Sequence, residues 1–489
     1  MTGQLLFTQS LSHDKISKDG NSRKAVAKIK QSFNIHKCVF GIFFVSLQAE
    51  SMIKRKNNIL VYCFSVLCVF LVSTGSSVVF GSDIINTKIV SYSNTSKGEI
   101  RTLRIKYANS DVLERPILYL TGEKLSDKNQ IEISFDELSH VPHYYSYTLL
   151  HLNSDNRYSD LLKSEYIDGD YTAEITDFDQ SENTQQLYTH YRFMFPNDNM
   201  NVKVSGNYAI KIYEDNNEDE PIAFVCFSVV EPIVSIDATI RGNTDIELSG
   251  RYQQLDIDII TKDLNIRNAE DIRLIVMQNG RLDNAVYNPR PTYIEGNRLR
   301  YINQRALIFE GGNEYRYFDI SSEYIMGHNV DRIYFDKTYL HAYLFADENL
   351  SQSPYIAEQD ANGQYVINVE RKSEDDYEAD YMWVHFLLPQ DNIWFDGSLY
   401  INGDLTLHAM DYDSRMEYDD MHKCYYKSLY LKQGAYSYQY LFRPKNEYKG
   451  TTLRTEGSHW QTENEYSILV YYRPFGSRAD RLVGYALKR

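Results

Sequence analysis

The chain has 489 residues and a formal net charge of −16, with 51 Lys and Arg against 67 Asp and Glu. This acidity argues against a nucleic-acid partner, because phosphate binding draws its affinity from clusters of Lys and Arg. The chain has five cysteines, too few for a framework of disulfides to hold it together.

The first eighty residues differ in kind from the rest. Residues 1–82 carry ten basic and three acidic side chains, so the remaining chain has 41 basic and 64 acidic ones, a charge of −23. Lys54-Arg55-Lys56 precedes an apolar run from Ile59 to Val72, and small residues follow, which is the order of a secretory signal peptide. The run of 14 residues is shorter than the ~20 that span a bilayer. We therefore predict a cleaved signal peptide at residues 52–81 and an exported protein.

Residues 1–51 precede this signal and are predicted to be a spurious or unstructured extension. Met52 stands just before the basic triplet, so we infer that translation begins there. The alternatives are a long cytosolic extension or a second membrane segment over Val39 to Leu47. Nine apolar residues are, however, too few to cross a membrane.

From Ile84 onward the pattern is that of one β-strand after another. Apolar residues recur at every second position in Tyr208–Ile212 and again in Tyr436–Phe442, as a strand with one buried face requires. The chain has 42 tyrosines. Tyrosine favours strands and is also common at interfaces, and we interpret these residues mainly as ordinary sheet surface. Asn-Gly pairs predict tight hairpin turns, and they occur at Asn279-Gly280, Asn362-Gly363 and Asn402-Gly403.

These short strands predict an all-β fold of tandem antiparallel β-sandwiches, immunoglobulin-like in architecture. We place an N-terminal sandwich at residues 82–232 and a second sandwich at 233–350. A polar linker is predicted at 351–380, and a C-terminal module at 381–489.

The mature chain offers little that points to catalysis. The acidic loops Asp215–Glu220 and Asp411–Asp413 lack the glycine and final glutamate of a calcium loop. His143, His151 and His190 have no spacing that suits a metal, and nucleotide and hydrolase signatures are missing. We therefore predict no catalytic, cofactor-binding or metal-binding residues and no small-molecule substrate, and we leave open whether Cys226 and Cys424 pair.

Several motifs stand out in a fixed order. They are Leu161–Gly169, Tyr188–Phe193, Pro196–Met200, Ser205–Tyr208, Val276–Ala285, Gly311–Asp319, Glu456–Trp460 and Glu463–Tyr466. Together they resemble the plug protein family of the type IX secretion system, formerly a domain of unknown function in Bacteroidota, over nearly the whole mature chain. The resemblance implies a periplasmic protein without enzymatic activity. It would dock on the inner face of an outer-membrane β-barrel translocon and occlude it when no cargo is exported.

Two other functions compete with this one. The C-terminal module resembles glycogen-binding, immunoglobulin-like modules, which hold sugars on exposed tryptophans. In this sequence His408 takes the place of the stacking tryptophan, and Trp394 and Trp460 remain as possible sugar platforms. The second competitor is an envelope hydrolase, which would need a cleft with paired carboxylates.

Overall fold

The computed structural model describes residues 90–91, 100–108, 114–122, 125, 129–215, 217–248, 250–261, 264, 266, 268–370 and 375–489. The predicted extension 1–51, the start at Met52 and the signal peptide 52–81 lie outside these residues. Within the described part, no helix is both long and apolar enough to cross a membrane.

The first module is a sandwich of two sheets. Its strands are β1 (Val90–Ser91), β2 (Ile100–Tyr107), β3 (Ile117–Tyr119), β4 (Ile131–Glu137), β5 (Tyr145–Leu152), β6 (Ile167–Gly169), β7 (Thr172–Ile175), β8 (Asp177–Gln180), β9 (Thr189–Phe195), β10 (Met200–Val202), β11 (Gly206–Glu214) and β12 (Pro221–Val230). The sheet β1-β12-β11-β5-β7, with β3 parallel to β12, faces the sheet β2-β4-β9-β8. The short helix α1 (Lys163–Tyr166) precedes β6, which pairs with β10. Alternate residues of β4 and β11 fill the core between the sheets.

Strand β12 explains how this module attaches to the next one. One of its faces, with Val225 and Val229, belongs to the core of the first sandwich. On its other face Phe224 and Cys226 are also buried, and Val230 packs against residues of the second module. The strand is almost wholly apolar because both of its faces are covered.

The second module is also a sandwich. Its strands are β13 (Ser235–Arg241), β14 (Tyr252–Ile260), β15 (Ile272–Gln278), β16 (Val286–Tyr287), β17 (Tyr293–Glu295), β18 (Arg298–Tyr301), β19 (Ile308–Glu310), β29 (Tyr466–Tyr472) and β30 (Arg481–Lys488). One sheet has the order β13-β14-β18-β17 with β19 beside β14, and the other has the order β16-β15-β29-β30. Two 3₁₀ turns, Ala269–Asp271 and Arg305–Leu307, precede β15 and β19.

The third module lies between these segments in the chain. Its strands are β20 (Arg316–Asp319), β21 (Val330–Phe335), β22 (Leu340–Leu344), β23 (Tyr365–Ile367), β24 (Tyr381–Pro389), β25 (Gly397–Asn402), β26 (Glu417–Asp419), β27 (Cys424–Lys432) and β28 (Gly434–Pro444). One sheet is β20-β28-β23 with β25 also on β28, and the other is β21-β22-β24-β27-β26. A short helix α2 (Asp375–Glu378) precedes β24, and a 3₁₀ turn at Asp404–Thr406 follows β25.

The strand pairing departs from the predicted boundaries. β29 and β30, which we placed in a module at 381–489, pair with β15 of the second sandwich. β20 and β22, which we placed in a module at 233–350, pair with β28 and β24 of the third. β23 lies inside the predicted linker 351–380 and pairs with β28. Alternating hydrophobicity identifies a strand and its buried face, but it does not identify the partner strand.

The prediction of an all-β fold of tandem sandwiches is confirmed. Of the three Asn-Gly pairs, Asn279-Gly280 and Asn362-Gly363 have the positive φ angles of a tight turn at both residues. Asn402 does not, because it ends β25 and Gly403 leads into a 3₁₀ turn instead of a hairpin.

Candidate interaction surface

The first and third modules are joined by a buried ionic cluster. Asp136 of β4 accepts hydrogen bonds from His190 Nδ1 at 2.6 Å, Lys432 Nζ at 2.6 Å and the Tyr381 hydroxyl at 2.7 Å. The Lys432 ammonium also lies 4.4 Å from the centre of the Tyr188 ring. The cluster therefore ties two strands of the first sandwich to two strands of the third.

Neighbouring charge favours the ionised form of Asp136 in this cluster. Burial raises the pKa of the Asp136 carboxyl, but the Lys432 charge and the His190 hydrogen bond outweigh that effect and hold this pKa below its usual range. Burial lowers the pKa of Lys432, and the Asp136 charge opposes the shift. Removal of either charge would leave the other one buried and unmatched.

A second joint connects the first module to the loop between β29 and β30. Asp480, which is fully buried, accepts hydrogen bonds from the Ser154 main-chain N–H at 2.9 Å and from Arg273 at 3.0 Å. The Tyr471 hydroxyl donates to the Asn207 side-chain oxygen at 2.8 Å. The bonds from Ser154 and Tyr471 cross between the first and second modules. The bond from Arg273 lies within the second module and holds Asp480 in place.

The third joint connects the second module to the segment after β28. Glu310 accepts hydrogen bonds from the Thr451 hydroxyl at 2.9 Å and from the Thr452 main-chain N–H at 3.1 Å. Arg281 pairs with Asp283 at 2.7 Å and donates to the Gly450 carbonyl at 3.0 Å. All three modules are thus fixed to one another by buried polar contacts.

Much of the motif set that carries the family resemblance lies in these joints. Tyr188 and His190 belong to the first joint, Asn207 to the second, and Arg281 and Asp283 to the third. Within the later motifs, Asn464 donates to the Gly311 carbonyl at 2.7 Å. These residues hold the modules in place.

A cavity of about 530 Å³ lies where the three modules meet. On its wall the Arg115 guanidinium lies 3.3 Å from Asp404, 3.5 Å from Glu465 and 3.2 Å from His408 Nε2. Burial opposes ionisation of Asp404, but Arg115 and His408 lower its pKa to about 2. Gly280 has φ +69, and a side chain at this position would overlap the Arg115 guanidinium. The turn can therefore pack against Arg115 because residue 280 is a glycine.

The two tryptophans predicted as sugar platforms lie on different modules. Trp394 is half-buried in the third module, against Tyr425 and Phe442. Trp460 is 48% exposed, and its ring lies directly on the glycines Gly242 and Gly250 at the second module. His408 is buried at the central cavity and offers no exposed stacking face.

The other sequence candidates are also dispersed. His143 pairs with Glu137, His151 is buried and donates to the Ser205 carbonyl, and His190 belongs to the first joint. The described residues of the acidic stretch, 215 and 217–220, lie between β11 and β12, where the Asn217 N–H donates to the Glu214 carbonyl. Asp411 accepts hydrogen bonds from two main-chain N–H groups of its own turn. Cys226 and Cys424 are buried thiols in different modules. No metal-binding group of three or more His, Cys, Asp or Glu occurs among the described residues.

One exposed apolar surface was not found from the sequence. We call it the edge surface, because it surrounds strand β21, which lies at the edge of its sheet. Tyr324 is 86% exposed, and the other large apolar side chains are also open to solvent: Ile325, Met326, Tyr334, Phe335 and Tyr339. A grouping of this kind is typical of protein interaction sites. In the sequence, this surface corresponds to the apolar runs Tyr324-Ile325-Met326 and Tyr334-Phe335. Such runs do not identify an exposed surface, because they are also expected in a buried strand.

Comparison with known proteins agrees with this picture. Residues 100–231 match the first domain of the type 9 secretion system plug protein. A crystal structure of a hypothetical protein from Parabacteroides merdae is 40% identical, with a TM-score of 0.78 over 82% of this chain and 99% of that one. No curated protein matches the chain. The chain belongs to the type IX secretion system plug protein family.

Proposed function

We propose that this protein is a periplasmic plug that docks on the outer-membrane barrel translocon of the type IX secretion system and occludes it when no cargo is exported. It acts by binding and not by catalysis. The observation that carries the proposal is the plug-domain match over residues 100–231. The exposed edge surface gives the rigid body a place at which a partner can dock.

The joints suit this task physically. A barrel wide enough for folded cargo leaks solutes when it is idle, so the occluding body has to keep its shape while it is pressed against the rim. Modules linked by flexible tethers would move independently. Here buried hydrogen bonds cross every module boundary, and the buried Asp136–Lys432 ion pair crosses the boundary between the first and third modules.

The test uses the tagged protein expressed from its own chromosomal locus. We expect affinity purification from solubilised outer membranes to recover a very large barrel protein, mainly in cells whose barrel carries no cargo. Deletion of the gene should make the outer membrane permeable to large antibiotics while cargo export is largely kept. Unchanged permeability together with no barrel in the purified material would contradict the proposal.

A further inference from the structure

The main chain of β21 is open along one side. Among the described strands its one ladder partner is β22, and the hairpin between them is closed by a hydrogen bond from the Asp336 N–H to the Tyr339 carbonyl at 3.1 Å. Hydrogen-bonded and non-bonded pairs alternate along an antiparallel ladder. The next pairs, Phe335 with Leu340 and Ile333 with Ala342, place the N–H and C=O groups of Phe335 and Ile333 on the outer edge.

The second half of this edge lacks the usual protection against pairing with another strand. Exposed edges are commonly short, or they carry charged residues, proline or a bulge. β17 has three residues, and β8 carries Asp177 and Asp179. In β21 the charged residues Asp331 and Arg332 and an irregularity of the ladder lie in the first half, whereas the second half has no charge and no Pro and ends in the exposed aromatic pair Tyr334 and Phe335.

A pocket of about 210 Å³ opens beside the same edge. Its apolar walls are Tyr324, Ile333, Phe335 and Leu340, and its one charged lining residue is Glu323. Ile333 also contacts the core of the third module, so the pocket lies at the open end of that core. An added strand on β21 would bring one of its side chains over this pocket.

We propose that β21 accepts an extended segment of the translocon, which adds to the sheet through the outward main-chain groups of Ile333 and Phe335. One apolar side chain of the segment enters the pocket, and its neighbours are neutral or basic because the charged residue that lines the pocket is Glu323. This inference rests on the proposed function for the identity of the partner. It adds the surface and the kind of segment that the surface binds.

The experiment compares single-site variants of the full-length tagged protein by the amount of barrel that co-purifies. Phe335→Pro removes an outward N–H but no bond to β22, and Phe335→Ala removes the ring and keeps the N–H. The matched control is Ile294→Pro in β17, an exposed edge position one residue from a two-residue turn. We expect a loss of roughly tenfold or more for Phe335→Pro, a smaller loss for Phe335→Ala and none for the control.

Photo-crosslinking covers the case in which Phe335→Pro destabilises the fold. A photoreactive residue at Tyr334 should crosslink to the barrel, whereas one at Tyr293 in β17 should not. Wild-type recovery of the barrel with Phe335→Pro, or crosslinks at Tyr293 alone, would overturn this inference and leave the proposed function intact. A crosslinked dimer of this chain through Tyr334 would also overturn it, because the edge would then pair with a second copy. Failure of the wild-type protein to recover the barrel would count against both.

Discussion

Replacement of Lys432 by Met tests whether the modules are fixed to one another by buried charge. Lys432 and Asp136 have side chains that are 1% and 0% exposed, and their charged atoms are 2.6 Å apart. Met keeps most of the apolar stem that packs near Tyr188 but removes the ammonium. The variant therefore leaves the Asp136 carboxylate buried with His190 and Tyr381 as its remaining hydrogen-bond donors.

The expected loss is about 3–5 kcal/mol in the free energy of unfolding, which is the usual cost of removing one partner of a buried pair. Domains of ordinary size have ~5–15 kcal/mol in total, so the effect should be large. Loss of Lys432 also removes the main influence that lowers the pKa of Asp136 against burial. We expect that pKa to rise, so the penalty should shrink as the pH falls from 7 toward 5 and the carboxyl takes up a proton.

Urea unfolding followed by tyrosine and tryptophan fluorescence measures this difference. The control is Lys423→Met, because Lys423 also lies 2.7 Å from a carboxylate, Asp420, but those side chains are 51% and 88% exposed. An exposed pair contributes ~0–1 kcal/mol. In the double variant Asp136→Asn with Lys432→Met, part of the lost stability should return. Equal, small losses for Lys432→Met and Lys423→Met would refute the buried-charge account of the joint.

Three further predictions follow from single sites. Burial lowers the pKa of His151 from 6.5 to about 4, so the unfolded chain takes up a proton that the folded protein excludes. Stability is therefore full above pH 6.5 and falls toward pH 4, and His151→Gln should remove about 2 kcal/mol of the urea-measured loss between pH 7 and pH 5. Gly280 and Gly296 both have positive φ, so replacement of either by Ala should cost ~1–2 kcal/mol in backbone strain. Gly280→Ala should lower the free energy of unfolding by more than Gly296→Ala, because only the Cβ at residue 280 would overlap Arg115. The full-length protein should not bind maltooligosaccharides in calorimetry, and micromolar binding lost on Trp394→Ala or Trp460→Ala would instead support the glycan-binding alternative.

The sequence predicts the strands well because their signal is local. Alternation in Tyr208–Ile212 and Tyr436–Phe442 identifies two central strands, β11 and β28, and both lie where the pattern indicates. Strand partners depend on contacts far apart in the chain. β15 pairs with β29 across nearly two hundred intervening residues, and nothing in either strand's pattern identifies the other.

The tyrosines show a different kind of limit. We interpreted them as mainly surface residues, but Tyr438 and Tyr440 are fully buried. Their hydroxyls donate to one carboxylate oxygen of Asp347, at 2.7 and 2.6 Å, which satisfies the polar end of each ring inside the core. A sequence pattern cannot show that an acceptor 91 residues away will meet a given hydroxyl. The joints and the edge surface were missed for the same reason, since both depend on which segments come together.

The relative strength of these contacts indicates how a plug of this design would release. Opening the molecule at its first joint breaks the hydrogen bonds that Asp136 accepts from Lys432 and Tyr381, and it exposes the buried rings of Tyr188 and Tyr381 to water. A strand bound at β21 is held by a few main-chain hydrogen bonds, each with a net value of ~0.5–1.5 kcal/mol, and by one side chain in an open pocket. The contact at β21 is the weaker of the two, so it should break first. Displacement by cargo should therefore separate the intact three-module body from the translocon, and the released protein should keep the protease resistance of the docked form.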